Sequence, residues 1–254
     1  MTTHTRLLGV MGHPIAHSKS PQMHNAALTH QQLPYTYLAF DVCPERLPQA
    51  VAGMHALGAR GWNVTIPHKV SIMPLLDEIA EEARVIGAVN TVVCEDGVLL
   101  GLNTDGAGYL QSLQEETGLD VRKQRILIIG AGGAARGVAY ALANAGAEHI
   151  VIANRTRENA EQLRDTLSPL TEVKAVHLED MRRWLSDRTL IVNTTSVGMA
   201  PETDVSPMPE EWLPEGVVVS DLIYNPAKTK LLREAEKRGC VIHNGLGMFV
   251  HQGA

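Results

Sequence analysis

With 254 residues, 44% hydrophobic content and a mean hydropathy of −0.05, the chain is long enough for one large domain or two small ones, and no apolar run approaches membrane-spanning length. A formal net charge of −6 argues against a nucleic-acid partner and requires any anionic ligand to be met by local positive groups. Cys43, Cys94 and Cys240 are odd in number, dispersed and outside any Cys-x-x-Cys pairing, so they read as reduced thiols; with no charged-then-apolar leader at the start, a cytoplasmic location is expected.

A first apolar strand, residues 7–11, runs into Gly12-His13-Pro14-Ile15-Ala16-His17-Ser18-Lys19-Ser20-Pro21. Pro21 suits the first turn of a helix and Ser18 or Ser20 its cap. Two serine hydroxyls beside free helix N–H groups also suit a carboxylate, although capping is the plainer reading of either serine alone. His13, His17 and His24 have no accompanying carboxylate or cysteine, and prolines interrupt them, so no metal site is expected.

A second strand, residues 35–42, precedes a helix opening at Pro44. A third ends in Gly61-Trp62-Asn63-Val64-Thr65-Ile66-Pro67-His68-Lys69. Alternation puts Trp62, Val64 and Ile66 on one face and Asn63 and Thr65 on the other, and the proline turn presents His68 and Lys69 at the strand's carboxyl end, where α/β sheets bind ligands. Lys69 is the leading candidate for chemistry in this half, against the alternative of a surface lysine opening a helix. Residues 88–95 and 98–103 form a predicted hairpin about Asp96-Gly97, framing Asn90-Thr91 and Asn103-Thr104-Asp105-Gly106. Asp105 can cap a helix running to about Glu116, and the polar segment 117–124 reads as a boundary.

Residues 125–156, RILIIGAGGAARGVAYALANAGAEHIVIANRT, read as a strand (126–129), a turn through Gly130-Ala131-Gly132-Gly133-Ala134-Ala135, an alanine-rich helix ending at Gly146, and a second strand (149–153). This βαβ unit carries G-x-G-x-x-A. Its glycines allow a tight turn and close backbone approach, and the free N–H groups at the helix start hold a pyrophosphate. An NAD site ends the second strand in Asp or Glu; here Asn154 stands, followed by Arg155 and Thr156. A guanidinium fork and a hydroxyl suit a 2′-phosphate. A charge-assisted contact contributes about 1.5–3 kcal/mol, predicting a preference for NADP over NAD of about ten- to a hundredfold.

The α/β alternation continues through strands at 173–177, 189–193 and 217–221. The loop 193–199 follows a strand end where a nicotinamide ribose lies in a doubly wound fold. A proline-rich surface loop, 201–215, and a polar strand end, 221–226, come next. A helix near 228–238 and a short strand then lead to Asn244-Gly245-Leu246-Gly247-Met248 and His251-Gln252-Gly253-Ala254.

GHPIAHSKSPQMHN, NVTIPHK, AVNTV, NTDG, GAGGAA, NRT, NTTSVGM, DLIYNP and GLGMFVHQGA stand in this order along almost the whole chain. Together they resemble the shikimate dehydrogenases, NADP-dependent enzymes that reduce 3-dehydroshikimate to shikimate in aromatic amino-acid biosynthesis. The resemblance implies an α/β chain with an N-terminal substrate domain, 1–103 completed by 243–254, a linking helix and Rossmann NADP-binding domain, 104–242, and a cleft between them. Ser18 and Ser20 would bind the substrate carboxylate, Thr65, Asn90, Asp105 and Gln252 its ring hydroxyls, and Tyr224 would lie beside it. Lys69 and Asp105 would form the catalytic pair. Gly130, Ala131, Gly132, Gly133 and Ala134 would hold the pyrophosphate, Asn154, Arg155 and Thr156 the 2′-phosphate, and Thr194, Gly245 and Met248 the nicotinamide end. The family continues past the QGA string into a final helix, and this chain ends there. The expected partner is the small-molecule substrate, with no metal, nucleic acid or membrane; a homodimer is compatible with the reading.

Hydride addition to a ring ketone creates an alkoxide, which needs a proton and a nearby cation. Lys69 as an ammonium offers both, and a carboxylate such as Asp105 favours that form. Competing readings are a quinate/shikimate dehydrogenase with broader cofactor use and a catalytically silent NADP-binding regulatory protein. The methylenetetrahydrofolate dehydrogenases share the architecture, but NVTIPHK and NTDG fit them poorly.

Overall fold

A computed structural model describes residues 3–253. The chain divides into two compact units, Met1–Thr104 and Asp105–Ala254.

In the first unit the strands are β1 (Arg6–Gly12), β2 (Tyr35–Asp41), β3 (Gly61–Val64), β4 (Glu78–Ile79), β5 (Thr91–Glu95) and β6 (Val98–Leu102), and the helices α1 (Ser20–His30), α2 (Leu47–Ala56) and α3 (Glu81–Ile86). The strands make one mixed sheet in the order β2-β1-β3-β5-β6-β4. β1 runs parallel to β2 and β3, and β5 pairs antiparallel with both β3 and β6. The predicted hairpin turns at Asp96-Gly97 with φ of 51° and 80°, the double positive φ that a two-residue connection requires. The helix expected at Pro44 opens as a 3-10 turn, Pro44–Arg46, before α2. Met11, Trp62 and Val64 pack with Leu47, Val51 and Met54 of α2 in the main core. Val10, Ile15 and Tyr37 form a small cluster on the other face, and alternation puts Asn63 there as well.

The second unit comprises α4 (Asp105–Thr117), β7 (Arg125–Ile129), α5 (Gly133–Asn144), β8 (His149–Asn154), α6 (Arg157–Leu167), β9 (Glu172–His177), β10 (Leu190–Asn193), β11 (Val218–Asp221), α7 (Lys230–Lys237), β12 (Val241–His243) and α8 (Leu246–His251). Its sheet is fully parallel, in the order β12-β11-β10-β7-β8-β9. Such sheets are covered on both faces, so their strands lose polar alternation. In β7, Ile126 and Ile128 enter a core with Leu113 of α4 and Val138 and Leu142 of α5. Leu127 and Ile129 enter the opposite core with Leu231, Leu232 and Ala235 of α7. From β7 the chain proceeds through α5 to β8 on one side while β10 lies on the other. Ligands of doubly wound sheets bind at the carboxyl ends beside such a reversal.

The polar segment 117–124 lies inside this unit, because α4 packs on α5, and the division falls instead between Thr104 and Asp105. Residues 243–253, expected to complete the first unit, group with the second through α8, which packs along α4. A Cβ on Gly108 would stand 2.6 Å from the Gln252 nitrogen, and one on Gly247 would strike Ser112 and Glu116, so these two glycines permit the close approach. No helix among the described residues is long and apolar enough to cross a membrane.

Candidate active site

In the first unit, Gly12 ends β1 where a Cβ would lie 2.5 Å from Thr65 Cγ2, so only glycine lets the loop after β1 lie against the turn after β3. Backbone bonds from Thr65 N to Met11 O and from His13 N to Ile66 O, both 2.9 Å, join the two segments. Ser18 Oγ accepts from Ser20 N at 3.3 Å, just ahead of α1, whose N-cap position is taken by Lys19 with no side-chain cap, so neither serine caps the helix as expected. Ser20 is buried. Lys69 is half-buried, and its carbonyl accepts from Val89 N at 2.8 Å, tying this turn to the segment before β5. Asn90 is buried; its Oδ1 accepts from Thr104 N (2.9 Å) and Thr91 Oγ1 (3.0 Å), and its Nδ2 donates to Thr104 Oγ1 (2.9 Å).

His68 departs from its expected presentation beside Lys69. It is fully buried, and its Nε2 donates to the Val42 carbonyl at 2.6 Å, an anchor for the proline turn. His13 does have a carboxylate beside it, Asp41 at 2.7 Å, which lies too far along the chain for motif reading to pair. Among the described residues, no group of three or more His, Cys, Asp or Glu side chains is placed to hold a metal.

In the second unit, Gly130 leaves β7 at φ 110°, with its N–H on the Ala153 carbonyl at 2.8 Å. A Cβ here would stand 2.5 Å from Thr194 Oγ1, while Thr194 Oγ1 itself donates to the Ile129 carbonyl at 2.8 Å. Only glycine satisfies both the dihedral and the space. Gly132 occupies the cap position of α5 in extended backbone and has no side chain to offer its first turn. Ala131 and Ala135 are buried, whereas Gly132, Gly133 and Ala134 line the more open side. These features fit a dinucleotide pyrophosphate, which needs backbone N–H groups and no intervening side chain. Asn154 Nδ2 donates to the Thr156 carbonyl at 2.8 Å and shapes the turn, leaving Arg155 and Thr156 exposed.

Motif reading missed the weight carried by Asp221. Its buried carboxylate accepts from Asn193 Nδ2 and Ile223 N through Oδ1, each 3.1 Å, and from Thr229 Oγ1 through Oδ2 at 2.7 Å. Burial pushes its pKa up to about 6, against the three hydrogen bonds, which pull it down. The available signal was an acid closing an apolar strand just ahead of Tyr224. Asp221 thereby joins the ends of β10 and β11 and sets the loops that follow each. A Cβ on Gly245 would collide with the Leu222 carbonyl, and Gly245 N donates to Ile223 O at 3.1 Å. The Tyr224 ring lies 4.7 Å from that of Phe249. Asp105 is the first residue of α4 and is buried, while Gln252 approaches Gly108 on the next turn of that helix. Met248 is buried in the core against α4 and α5.

Two family models match the chain. Residues 10–92 match the family described as shikimate dehydrogenase substrate binding domain, and residues 112–202 match shikimate / quinate 5-dehydrogenase. A shikimate dehydrogenase (NADP(+)) of Geobacillus sp. strain WCH70 is 49% identical over 249 residues, 98% of this chain and 90% of that protein. A solved shikimate dehydrogenase in complex with NADP+ is 46% identical with a TM-score of 0.91, covering 100% of this chain and 89% of that one. A shikimate 5-dehydrogenase of Listeria monocytogenes in complex with shikimate and NAD is 40% identical with a TM-score of 0.89, covering 100% and 91%.

Proposed function

Because the chain belongs to the shikimate dehydrogenase family, we infer that it catalyses the reversible NADPH-dependent reduction of 3-dehydroshikimate to shikimate, a step of aromatic amino-acid biosynthesis. The observation that carries the cofactor half is the cradle at Gly130, which a Cβ would fill, followed by a strand end with Asn154 and an exposed Arg155 in place of a carboxylate. NADPH, when bound, supplies the hydride.

The protein's own groups account for the rest. Lys69 is the general acid that protonates the nascent alkoxide and stabilises its charge, and Asp105 orients the reacting group. Ser18 and Ser20 take the carboxylate; Thr65, Asn90, Asp105 and Gln252 take ring hydroxyls; Tyr224 packs beside the ring. Gly130 to Ala134 hold the pyrophosphate, Asn154, Arg155 and Thr156 the 2′-phosphate, and Thr194, Gly245 and Met248 the nicotinamide end. In this assignment residues 1–103 are the substrate-binding part and 104–242 the NADP-binding part. The unpaired cysteines support a cytoplasmic location, and the homodimer compatible with this reading is tested by sedimentation.

The deciding assay is NADPH formation from shikimate at alkaline pH, with quinate in place of shikimate and NAD in place of NADP. Turnover confined to shikimate and NADP supports the assignment. Equal rates with quinate or NAD would move the enzyme to the broader quinate/shikimate group, and NADP binding without turnover would identify a silent binder.

A further inference from the structure

Three fully buried polar side chains of the second unit meet one another: Asn193 at the end of β10, Asp221 at the end of β11 and Thr229 just before α7. Their donors set the direction of each bond. Thr195 N–H, which can only donate, points to Asn193 Oδ1 at 3.1 Å and is joined there by Thr195 Oγ1 at 2.7 Å, so the Asn193 amide turns Nδ2 toward Asp221 Oδ1, 3.1 Å away. Ile223 N–H donates to the same carboxylate oxygen at 3.1 Å. Thr229 Oγ1 accepts from Leu232 N at 3.4 Å, capping α7, and gives its own hydrogen to Asp221 Oδ2 at 2.7 Å. The Asp221 carboxylate is thus the acceptor that these three donors share.

Two of those donors lead to segments assigned to the nicotinamide end. Beyond Asn193 lies the loop 194–198, gripped by the same amide, since Thr195 donates to its Oδ1 and the Val197 carbonyl lies 3.4 Å from its Nδ2. Beyond Ile223 lies Gly245, whose N–H rests on the Ile223 carbonyl at 3.1 Å and whose missing Cβ would overlap the Leu222 carbonyl. Charge-assisted bonds are stronger than neutral ones, so one carboxylate holds both segments firmly. The pyrophosphate turn takes its anchor elsewhere, from Gly130 N to the Ala153 carbonyl of β8 at 2.8 Å. Resting on the assignment of Thr194 and Gly245 to the nicotinamide end, we propose that Asp221 is a positioning residue for that end alone: through Asn193 and Ile223 it fixes the two segments that seat the nicotinamide for hydride transfer, while the rest of the cofactor is held without it.

The test compares NADP+ with 2′-phospho-ADP-ribose, the same molecule without its nicotinamide, by calorimetric titration of the full chain. Asp221→Ala leaves a buried amide, N–H and hydroxyl without their acceptor. It is expected to weaken NADP+ about tenfold, the size of one hydrogen bond, to leave the affinity for 2′-phospho-ADP-ribose unchanged, and to lower kcat for shikimate oxidation more than it raises the KM for NADP. Asp221→Asn keeps an oxygen for Asn193 and Ile223 and is expected to recover most of these losses. A merely structural aspartate would move both ligands together, so equal losses overturn the proposal, as does an Asp221→Ala protein with wild-type NADP+ affinity and kcat. Should Asp221→Ala fail to fold, Thr229→Val, which removes the donor to Oδ2, is expected to weaken NADP+ selectively and Thr229→Ser to restore it; equal effects on the two ligands, or none, overturn the proposal there as well. Wild-type protein that binds NADP+ no more tightly than 2′-phospho-ADP-ribose would remove the nicotinamide assignment and the role of Asp221 with it. Titrations that come out as expected in a protein that does not oxidise shikimate would sink the substrate reading and leave the positioning role standing.

Discussion

The two sheets use their second faces differently. In the second unit, apolar clusters lie on both sides of the parallel sheet, and the candidate cofactor groups are confined to strand ends, where glycines and helix N–H groups present backbone. In the first unit one face carries the main core, while the other carries the small cluster of Val10, Ile15 and Tyr37 beside a run of amides and hydroxyls. The contrast matches the ligands assigned to each: a pyrophosphate is recognised by closely approaching main chain, whereas a small hydroxy acid needs polar side chains at fixed spacing. Glycine replacements should therefore impair one function, and side-chain truncations the other.

The largest expected effect is that of Lys69→Ala. Loss of a general acid lowers turnover by about 10²- to 10⁴-fold, while the melting shift caused by NADP persists and the KM for shikimate changes little; surviving turnover would remove Lys69 from the chemistry. Gly130→Ala tests the other unit. At φ 110° and 2.5 Å from Thr194 Oγ1, the added methyl costs about 1–3 kcal/mol in backbone strain alone, and NADP affinity should fall more than tenfold with the KM for shikimate unchanged. If shikimate and NADP affinities fell together in that variant, the proposed separation of tasks would not hold. Arg155→Gln should reduce the ratio of kcat/KM for NADP to that for NAD by about ten- to a hundredfold, chiefly through NADP; an unchanged ratio would leave the 2′-phosphate without its assigned partner.

The same contrast governs what was legible in the sequence. The glycine turn, α5 and the Asn154-Arg155-Thr156 edge were readable because their determinants lie within one βαβ unit and act through local dihedrals and spacing. Lys69 and Asp105 were placed by motif at a turn and a helix start. The polar run through Tyr37 was not legible, since Tyr37 and Asn63 stand 26 positions apart and meet only because β1 pairs in parallel with both β2 and β3. Asp221 and Asn193 are 28 apart and meet for the same kind of reason. His68 was misread because the proline turn sends its ring inward to Val42 while Lys69 stays half-buried. The grouping of 243–253 with the second unit depends on Gly108 and Gly247, whose packing role becomes visible only when α4 and α8 lie together.

The smallest effect concerns pH, and it turns on two titratable groups buried in the second unit. In the first unit Tyr37, Asn63, Thr91, Asn90 and Thr104 are linked through hydroxyls and amides, and the second unit buries Asp221 and His243. His243 Nδ1 accepts from Ser220 Oγ at 2.8 Å and its Nε2 donates to Ser112 Oγ at 2.7 Å; Ser112 in turn donates to Glu116 at 3.0 Å and Tyr109 to Ser220 at 3.1 Å. That order of donors requires a neutral imidazole. Burial lowers the pKa of His243, opposed by the charge of Glu116, so its contribution is present above the unfolded value of about 6.5 and is lost as pH falls through the lowered folded value. Asp221 works in the other direction: with its pKa raised to about 6, its contribution is present below the unfolded value of about 3.9 and is lost as pH rises through about 6. Between pH 7 and 5 the two oppose each other. Asp221→Asn should therefore steepen the fall in melting temperature on acidification, and His243→Gln should flatten it. Tyr37→Phe, which keeps the ring stacked on His24 and removes only a hydroxyl bonded to the Asn63 amide, should lower the midpoint without altering the slope. Equal slopes in all three variants would mean that Asp221 and His243 do not set the pH dependence of stability.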